Sequence, residues 1–387
     1  MTNFVYSIPT KIYFGKGQIS NLGDAVAEYG SKVLLVYGGG SIKKMGLYAT
    51  VIDILKEKSI SVTELSGVEP NPKIQSVRAG VKLCRENNIE VVLAVGGGSS
   101  IDCAKVVAAG ACYDGDAWDL VIHPEKIQKV LPVITVLTLS ATGTEMDGFA
   151  VISDMGKNDK FGTASEEMKP KVSILDPEYT YSVSKKQTAS GTADIMSHTL
   201  ENYFTSVEGS FVQARFSESI LKTCIKYGRI AMDEPHNYEA RANLMWASSL
   251  AINGLLSYGS AVNWSVHPME HELSAFYDIT HGIGLAILTP NWMKHILSEK
   301  TVDKFVEYGV NVWGIDAKLD QFEIANQAIQ NTREYFNELG IPSKLRSVGI
   351  DEENLEIMAK KSASMGLDHA FSPLYAEDVL AIYKASL

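Results

Sequence analysis

The sequence has few cysteines, and their spacing excludes two kinds of site. The four are Cys84, Cys103, Cys112 and Cys224, and no two of them form a C-x-x-C pair. Closely spaced pairs mark thiolate zinc and redox sites, and larger even sets mark the disulfide frameworks of small secreted domains. We therefore expect reduced cysteines that serve only in packing.

Clusters of basic residues and long apolar runs are also missing. The net charge is −11, with 35 lysines and arginines against 46 acidic residues, whereas nucleic acids are held by clusters of basic side chains. The longest mostly apolar run, 130–139, is too short to cross a bilayer, and residues 1–9 lack the basic start and apolar core of a signal peptide. We expect a cytoplasmic protein without nucleic-acid or membrane partners.

The first half of the sequence alternates between two hydrophobic periods. Short β-branched runs are separated by segments of helical spacing. The predicted strands occupy residues 33–37, 61–65, 91–95, 133–136 and 172–175, and the predicted helices occupy 48–58 and 74–87. This alternation is typical of a parallel sheet covered by helices.

The second half has a different pattern. From Ser184 onward the apolar residues recur at helical spacing, and few strand-like runs remain. A chain of 387 residues also exceeds the usual size of one hydrophobic core. The sequence therefore predicts an α/β domain over 1–182, with a parallel sheet and flanking helices, and an all-α domain over 183–387.

Three turns rich in small residues follow predicted strands, at 37–41, 96–102 and 138–144. Glycine lets a pyrophosphate approach the backbone, and a helix N-terminus offers open N–H groups. The alternative use of glycine is a tight turn with positive φ, but three such turns at strand ends favour a shared nucleotide cleft. The candidate cofactor-binding residues in these turns are Gly38, Gly39, Gly40, Ser41, Gly97, Gly98, Ser99, Asp102, Thr138, Ser140, Thr142 and Thr144.

Potential metal ligands cluster in the second half. Asp194 and His198 are four residues apart and share one helix face, and His267, His271 and His281 fall within fifteen residues. A single histidine on an apolar helix is more often a core residue than a ligand, but the whole chain has only eight histidines. Three imidazoles and one carboxylate suit Fe(II) or Zn(II) and leave a position free for substrate.

Two other classes of protein compete for the same residues. A metal-dependent hydrolase would use three histidines and an aspartate to activate water, but the glycine turns would then have no role. A non-catalytic nucleotide-binding scaffold would have no reason to carry the metal ligands. An oxidoreductase with a nicotinamide cofactor and a metal accounts for both features.

Together these motifs resemble those of the iron-containing (group III) alcohol dehydrogenases, in particular the butanol dehydrogenase-like branch. The matching segments run along nearly the whole chain, at 11–17, 69–72, 96–102, 140–145, 174–177, 267–275 and 280–282. The resemblance implies a dehydroquinate synthase-like fold, in which a dinucleotide-binding α/β domain and a helical domain enclose cofactor and metal.

The resemblance also implies roles for individual residues. The implied metal ligands are Asp194, His198, His267 and His281. His271 corresponds to a histidine that usually stays off the metal, and it either relays the hydroxyl proton or orients the ligands. Asn71 and Lys160 are expected at the cofactor, with Lys160 near a ribose.

The implied reaction is hydride transfer between NAD(P)(H) and a small primary alcohol or aldehyde, such as butanol or butyraldehyde, at a metal that polarises the substrate oxygen. A polyol dehydrogenase of the glycerol or propanediol type would have the same fold and remains an alternative. The resemblance further implies a homodimer with contacts through the N-terminal domain.

The turn after the first predicted strand bears on the choice of cofactor. NAD-preferring sites commonly place a carboxylate against the adenosine ribose, which repels a 2′-phosphate. Here residues 38–41 read Gly-Gly-Gly-Ser, followed by Lys43 and Lys44, without a carboxylate. Backbone N–H groups, the Ser41 hydroxyl and the Lys44 ammonium group are suited to a phosphate, so we expect NADP(H) to be favoured over NAD(H).

Overall fold

Parallel strands form the central sheet of the first half of the chain in the computed structural model, which describes residues 1–262 and 264–387. The strands are β1 (Lys11–Phe14), β2 (Lys32–Val36), β3 (Ser61–Leu65), β4 (Val91–Gly96), β5 (Val133–Leu137), β6 (Phe149–Asp154), β7 (Asp159–Ala164) and β8 (Val172–Leu175). Six of them pair in parallel in the order β1-β8-β5-β4-β2-β3, and β6 and β7 form a separate antiparallel hairpin.

Helices cover both faces of this sheet. They are α1 (Leu22–Ala27), α2 (Ser41–Lys44), α3 (Leu47–Glu57), α4 (Ile74–Glu86), α5 (Gly98–Ala111) and α6 (Ala117–Ile122). Successive side chains of β2 point to opposite faces, so that Val33 and Leu35 pack with α1 and α3, whereas Leu34 and Val36 pack with α4 and α5. Burial on both faces explains why the inner strands β2, β4, β5 and β8 are almost continuously apolar.

The order of the strands also determines where the connections between them diverge. β2 has β3 on one side and β4 on the other. The helix α3, which follows β2, packs on one face of the sheet, and α5, which follows β4, packs on the opposite face. Because ligands of open α/β sheets bind where such connections diverge, we expect nucleotide binding at the carboxyl ends of β2 and β4.

The strands and helices predicted for this half are confirmed to within one residue at each end. The strand β1, the hairpin of β6 and β7, and the helices α1, α2 and α6 were not predicted. The strand β7 reads DKFGTA, so it lacks the β-branched run that marked the five predicted strands.

The second half is helical, as predicted. Its helices are α7 (Lys185–Tyr203), α8 (Phe211–Asp233), α9 (Tyr238–Ile252), α10 (Val266–Tyr277), α11 (His281–Ile296), α12 (Val302–Trp313), α13 (Gln321–Glu338), α14 (Leu355–Ala363) and α15 (Ala376–Ser386). The Ser184 side chain caps α7 by accepting a hydrogen bond from the Gln187 N–H at 3.3 Å, and every residue of α7 from Thr188 onward is buried. A helix buried on all sides belongs to the core, where α7 packs against α8 and α11.

The described chain divides into two compact units. The α/β unit comprises Ser7–Val183 and His236–Ser249, and the helical unit comprises Met1–Tyr6, Ser184–Pro235 and Leu250–Leu387. The division at 183/184 lies one residue from the predicted boundary. Across residues 1–262 and 264–387, no helix combines the length and apolarity that a membrane crossing requires.

Two segments belong to a different unit from the one their position in the sequence suggests. The first six residues lie with the helical unit, where the Thr2 N–H donates to the Gly259 carbonyl at 2.9 Å. The segment 236–249 lies with the α/β unit, where the Ser249 hydroxyl donates to the Glu145 carboxylate. Such placements depend on long-range contacts, which local hydrophobic patterns do not contain.

Candidate metal centre and cofactor turns

Asp194 and His198 lie on one face of the central helix α7. Their spacing of four residues brings His198 Nε2 to 3.7 Å from Asp194 Oδ1. Both residues are buried, with 3% and 4% of their surface exposed. Buried polar side chains are normally hydrogen-bonded, but Asp194 Oδ1 has no hydrogen-bond partner in the described chain.

Two further histidines reach the same oxygen from other helices. His267 is the second residue of α10, and His281 is the first residue of α11. Their Nε2 atoms lie 3.8 and 3.7 Å from Asp194 Oδ1. Three imidazole nitrogens therefore lie at nearly equal distances from one carboxylate oxygen, and the ligand atoms of Asp194, His267 and His281 all lie within 4.8 Å of one another. His198 reaches this group through Asp194 Oδ1.

This spacing fits a divalent cation. Ligand atoms that share one metal ion at ~2.1 Å are roughly 3.4 Å apart in a tetrahedral arrangement, and the three N···O distances here are 3.7, 3.8 and 3.7 Å. Asp194 Oδ1 and His267 Nε2 are buried without hydrogen-bond partners among the described residues, and each such atom costs about 1–3 kcal/mol unless something else binds it. Three imidazoles and a carboxylate suit Fe(II) or Zn(II).

Opposite buried charges set the protonation of this cluster. Burial alone would raise the pKa of Asp194, but the neighbouring histidines, led by His198, hold it well below its usual range. Burial lowers the pKa of His198 to about 4. Burial also opposes the charged form of His267, yet the carboxylates of Glu201 and Asp194 outweigh it and raise the pKa of His267 to about 9. Without a metal, a proton on His267 supplies the positive charge beside the ionised Asp194, and a cation that binds there would displace that proton and leave a neutral ligand.

Two buried glutamates contact the other ring nitrogen of these histidines. Glu201 is hydrogen-bonded to His267 Nδ1, and Glu270 is hydrogen-bonded to His281 Nδ1. Neither glutamate was predicted from the sequence to belong to the site. The sequence does contain a His-x-x-Glu repeat, at 198–201 and 267–270. This repeat indicates a role for the two glutamates only when the contacts between the helices are known.

Two glycines allow α11 to approach this centre. A Cβ atom on Gly282 would lie 2.0 Å from the Ser190 carbonyl oxygen, and one on Gly284 would lie 2.8 Å from Glu270 Cγ. A larger residue at either position would displace α11 and, with it, His281. Close packing therefore explains why glycine follows the histidine in the segment 280–282.

His271 and Trp264 border the cluster. The ring centroid of His271 lies 5.7 Å from that of His281, and the centroid of Trp264 lies 4.9 Å from that of His267. His271, Glu270 and His281 also form a second group whose ligand atoms lie within 4.8 Å of one another. Glu270 can therefore be interpreted as a hydrogen-bond partner of His281 or as a ligand in its own right.

The three glycine turns of the α/β unit follow β2, β4 and β5, which are neighbours in the sheet. A Cβ atom on Gly98 would lie 2.5 Å from the Thr142 hydroxyl oxygen, and one on Gly97 would lie 3.1 Å from Leu139 Cβ, so the second and third turns touch. The close approach of the two turns thus explains why residues 97 and 98 are glycines. Residue 40 is glycine for a different reason, because its backbone has a φ of 104°, which other residues rarely adopt.

Residues of the third turn differ in whether their hydroxyl groups have hydrogen-bond partners within the protein. Ser140 Oγ is buried without a hydrogen-bond partner among the described residues, although buried polar groups normally have one. The Thr144 hydroxyl instead donates to Asp102 at 2.6 Å, and Asp102 also accepts from the Val151 N–H at 3.0 Å. These bonds hold the turn against α5, and burial raises the pKa of Asp102 to about 6.

The other cofactor candidates occupy varied positions. Ser99 lies in the first turn of α5, and the Thr138 N–H bonds to the Gly96 carbonyl at 3.0 Å, where β4 and β5 end. Asn71 has a left-handed backbone, with φ of 49°. Lys160, which sequence alone would place in a solvated loop, is only 3% exposed and lies in β7.

The first turn leads directly into α2, whose first and last residues are Ser41 and Lys44. Lys43 Nζ lies 5.1 Å from the ring centroid of Tyr37 and 4.6 Å from that of Tyr48. Both tyrosine hydroxyls donate to Glu64, at 2.6 and 2.7 Å, and the bond from Tyr37 is the main cause that lowers the pKa of Glu64. An ionised carboxylate therefore lies close to the Lys43 ammonium group.

Comparison with known proteins identifies the family. The model described as "Iron-containing alcohol dehydrogenase" matches residues 9–177, and that described as "Fe-containing alcohol dehydrogenase family, C-terminal" matches residues 188–387. The chain belongs to the iron-containing alcohol dehydrogenase family. This result confirms the predicted family and the predicted class of activity, an NAD(P)-dependent alcohol dehydrogenase with a divalent metal.

Individual relatives cover the whole chain. It is 63% identical to NADH-dependent butanol dehydrogenase A of Clostridium acetobutylicum, with 100% of both chains covered. It is 39% identical to the NADPH-dependent aldehyde reductase YqhD of Escherichia coli, over 95% of this chain and 94% of that protein. The crystal structure of NADH-dependent butanol dehydrogenase A from Thermotoga maritima matches with a TM-score of 0.94 and 40% identity, over 100% of this chain and 99% of that one, which confirms the predicted fold.

Proposed function

We propose that this chain is an NADH-dependent reductase of short aliphatic aldehydes, which in reverse oxidises primary alcohols such as butanol at one divalent metal. The proposed ligands are Asp194, His198, His267 and His281. The main support is that three imidazole nitrogens lie 3.7–3.8 Å from Asp194 Oδ1. This buried carboxylate oxygen has no hydrogen-bond partner in the described chain. Relatives at 63% and 60% identity are named NADH-dependent butanol dehydrogenases, which supports the substrate class.

Each part of the site has a distinct role in this reaction. When bound, the metal polarises the substrate oxygen as a Lewis acid, and the nicotinamide gives or takes a hydride. Asp194 supplies a negative charge that binds the cation, and the histidines supply neutral Nε2 donors. The indole of Trp264 packs beside the His267 ring and helps to keep bulk water from the ligands.

His271 is proposed to move the proton of the substrate hydroxyl. It lies one helical turn after His267, is only partly buried, and has its ring centroid 5.7 Å from that of His281. A group so placed can exchange a proton with the substrate and with water. We expect His271→Gln to lower kcat about 10²-fold with metal content unchanged, whereas a purely orienting role predicts loss of metal.

The coenzyme proposal departs from the expectation of NADP(H). That expectation depended on lysines being available for a 2′-phosphate, but Lys43 packs on Tyr37 and Tyr48 beside the carboxylate of Glu64. Lys44 is then the lysine of this turn that remains to pair with such a phosphate. The NADH-dependent relatives support NADH, while the 39% identical reductase is named NADPH-dependent.

Steady-state kinetics on one preparation test the proposal. The enzyme is stripped with a chelator, reloaded with Fe(II) or Zn(II), and assayed on butanal with each coenzyme. We expect activity to disappear with the metal, to return with Fe(II), and to show higher kcat/KM with NADH. Full activity of the stripped enzyme would contradict the metal centre, and a clear preference for NADPH would contradict the coenzyme.

A polyol dehydrogenase is the second candidate. One relative, 29% identical over 95% of this chain and 94% of its own length, is named 1,3-propanediol dehydrogenase, from Klebsiella pneumoniae. Oxidation rates for butan-1-ol, propane-1,3-diol and glycerol distinguish the two. We expect the highest kcat/KM for butan-1-ol, and a maximum for either polyol would replace the first proposal.

A further inference from the structure

The two helices α7 and α10 repeat one short pattern, His-x-x-Glu, at 198–201 and 267–270. In each repeat the glutamate contacts a histidine of the next helix that carries a proposed ligand. Glu201 contacts His267, and Glu270 contacts His281. We propose that Glu201 and Glu270 are positioning residues that fix these histidines in the orientation and tautomer required to bind the metal. This inference rests on the proposed metal centre and adds two carboxylates outside its ligand set.

Glu201 joins the start of α10 to α7. Besides contacting His267, its Oε2 atom accepts hydrogen bonds from the N–H groups of Ser265 and Val266, the latter at 2.8 Å, and the Ser197 hydroxyl donates to Oε1 at 3.3 Å. These backbone N–H groups belong to the first turn of a helix, which needs partners from outside the helix. One carboxylate of α7 therefore fixes both the beginning of α10 and the ligand that α10 carries.

Glu270 has the corresponding position between α10 and α11. Its Oε2 atom contacts His281 Nδ1, and its Oε1 atom accepts from the Ser274 hydroxyl one turn later. The space for this carboxylate exists because residue 284 is glycine, where a Cβ atom would lie 2.8 Å from Glu270 Cγ. Glu270 is 0% exposed, so solvent ions screen its charge little.

Selection of a tautomer is the physical effect of these contacts. A neutral imidazole has one proton, and a carboxylate at Nδ1 holds the proton on that atom. The lone pair then lies on Nε2, which is the atom of both His267 and His281 that faces Asp194 Oδ1. The same hydrogen bond increases the basicity of the ligand and fixes the ring.

His198 provides an internal contrast. Its Nδ1 atom is buried without a hydrogen-bond partner among the described residues, so no carboxylate holds it. It shares α7 with Asp194, and the helix itself fixes their separation. His267 and His281 come from separate helices, and each of them has a buried glutamate at Nδ1. The carboxylates thus occur where the backbone alone does not set the ligand geometry.

Metal affinity tests this inference without an activity assay. Glu201→Gln and Glu270→Gln keep the side-chain shape and remove the charge. The matched control is Glu218→Gln, because Glu218 is also buried in the helical unit but bonds to Tyr203, Asn311 and Arg215, none of which is a proposed ligand. The full-length metal-free proteins are titrated with Co(II), followed by its d–d absorption, and with Zn(II) against a competing chelator. Thermal unfolding of each metal-free protein is recorded in parallel.

We expect Co(II) and Zn(II) binding to weaken about 10- to 100-fold in both variants, with an altered Co(II) spectrum, whereas the control binds as the wild type does. If Glu201→Gln does not fold, Glu270→Gln still tests the positioning role, since this variant leaves the contacts at the start of α10 in place. Wild-type affinity and spectrum in Glu270→Gln would overturn the inference. Lower stability combined with unchanged metal binding would mark a purely structural role and would also overturn it.

Failure of the metal centre itself would be distinguishable. A wild-type chain that binds no Co(II) contradicts the proposed function, whereas normal wild-type binding with unaffected variants contradicts only the positioning role. Two ions per wild-type chain, falling to one in Glu270→Gln, would make Glu270 a ligand in the group with His271 and His281. That result would replace the positioning role of Glu270 with direct coordination.

Discussion

The pKa values of buried carboxyl groups are shifted in opposite directions in the α/β unit and in the helical unit. In the α/β unit, burial raises the pKa of Asp102 to about 6 and that of Glu145 to about 7. In the helical unit, burial acts in the same direction on Asp194 and Glu201, but neighbouring imidazoles outweigh it and lower the pKa of both carboxyls. Burial is common to both units, so the neighbouring groups decide in which direction these pKa values shift.

This contrast separates two ways of holding a ligand. The helical unit concentrates ionised carboxylates and imidazoles, which suits a cation. The α/β unit presents backbone N–H groups and hydroxyls at the ends of adjacent strands, which suits the phosphates of a nucleotide. Its carboxylate Asp102 is instead bonded to protein groups. A substitution in one unit should consequently leave the ligand of the other unit bound.

His267→Ala should have the largest effect. It removes one of four proposed ligands, and a metal acting as a Lewis acid supplies several kcal/mol of transition-state stabilisation. We expect kcat/KM to fall at least about 10³-fold, with metal content reduced and coenzyme affinity within about 3-fold of wild type. Kinetics, metal analysis and NADH fluorescence titration on one preparation measure the three quantities. Normal turnover and metal content in this variant would refute the ligand assignment.

Gly98→Ala should impair the opposite function. The new Cβ atom would lie 2.5 Å from the Thr142 hydroxyl oxygen, so the second or third turn must shift. We expect kcat/KM for the coenzyme to fall about 10- to 100-fold, as for a displacement of about 1 Å at a binding site, while metal content stays unchanged. Gly162→Ala is the matched control, because its Cβ atom would meet only Val151, at 4.0 Å. Loss of metal in Gly98→Ala would contradict the separation of the two functions.

Glu145→Gln tests the charge state of the α/β unit through stability. The folded pKa of Glu145 is raised from 4.5 to about 7, so its stabilising contribution is complete below pH 4.5 and is lost as the pH rises through 7. Glutamine has no such dependence. We expect the free energy of unfolding of the wild type to fall by on the order of 2 kcal/mol relative to the variant between pH 4.5 and 8. Denaturant unfolding at both pH values measures this, and parallel pH curves would show that Glu145 ionises normally.

The same two regions differ in how far sequence predicts them. The strand β2 and its neighbours follow from local hydrophobic period and were predicted to within one residue. In the helical unit, helix spacing pairs Asp194 with His198, but spacing alone leaves His271 as eligible as His267 or His281. The resemblance to a family selected the last two, and the structure places their Nε2 atoms 3.8 and 3.7 Å from Asp194 Oδ1.

Other features depend on contacts that no local pattern contains. Glu201 and His267 are 66 residues apart in the chain, so their hydrogen bond follows only from the packing of the helices. Lys160 follows the polar stretch Lys157-Asn158-Asp159, which indicates a loop, yet Lys160 pairs with Ser153 of β6 and is buried. The homodimer and the cytoplasmic location stay predictions, with sedimentation mass and fractionation as their tests.

Gly39→Asp should give the smallest effect, confined to the choice of coenzyme. A Cβ atom on Gly39 meets no atom within 4 Å, so the side chain can enter without moving the turn. Its carboxylate would repel a 2′-phosphate but accept hydrogen bonds from the ribose hydroxyls of NADH. We expect kcat/KM for NADPH to fall about 10-fold, since like charges near a surface repel by about 1–4 kcal/mol, and the value for NADH to change less. Gly39→Asn keeps the shape without the charge and should not discriminate between coenzymes. Equal losses with both coenzymes in Gly39→Asp would mean that this turn does not face the adenosine ribose.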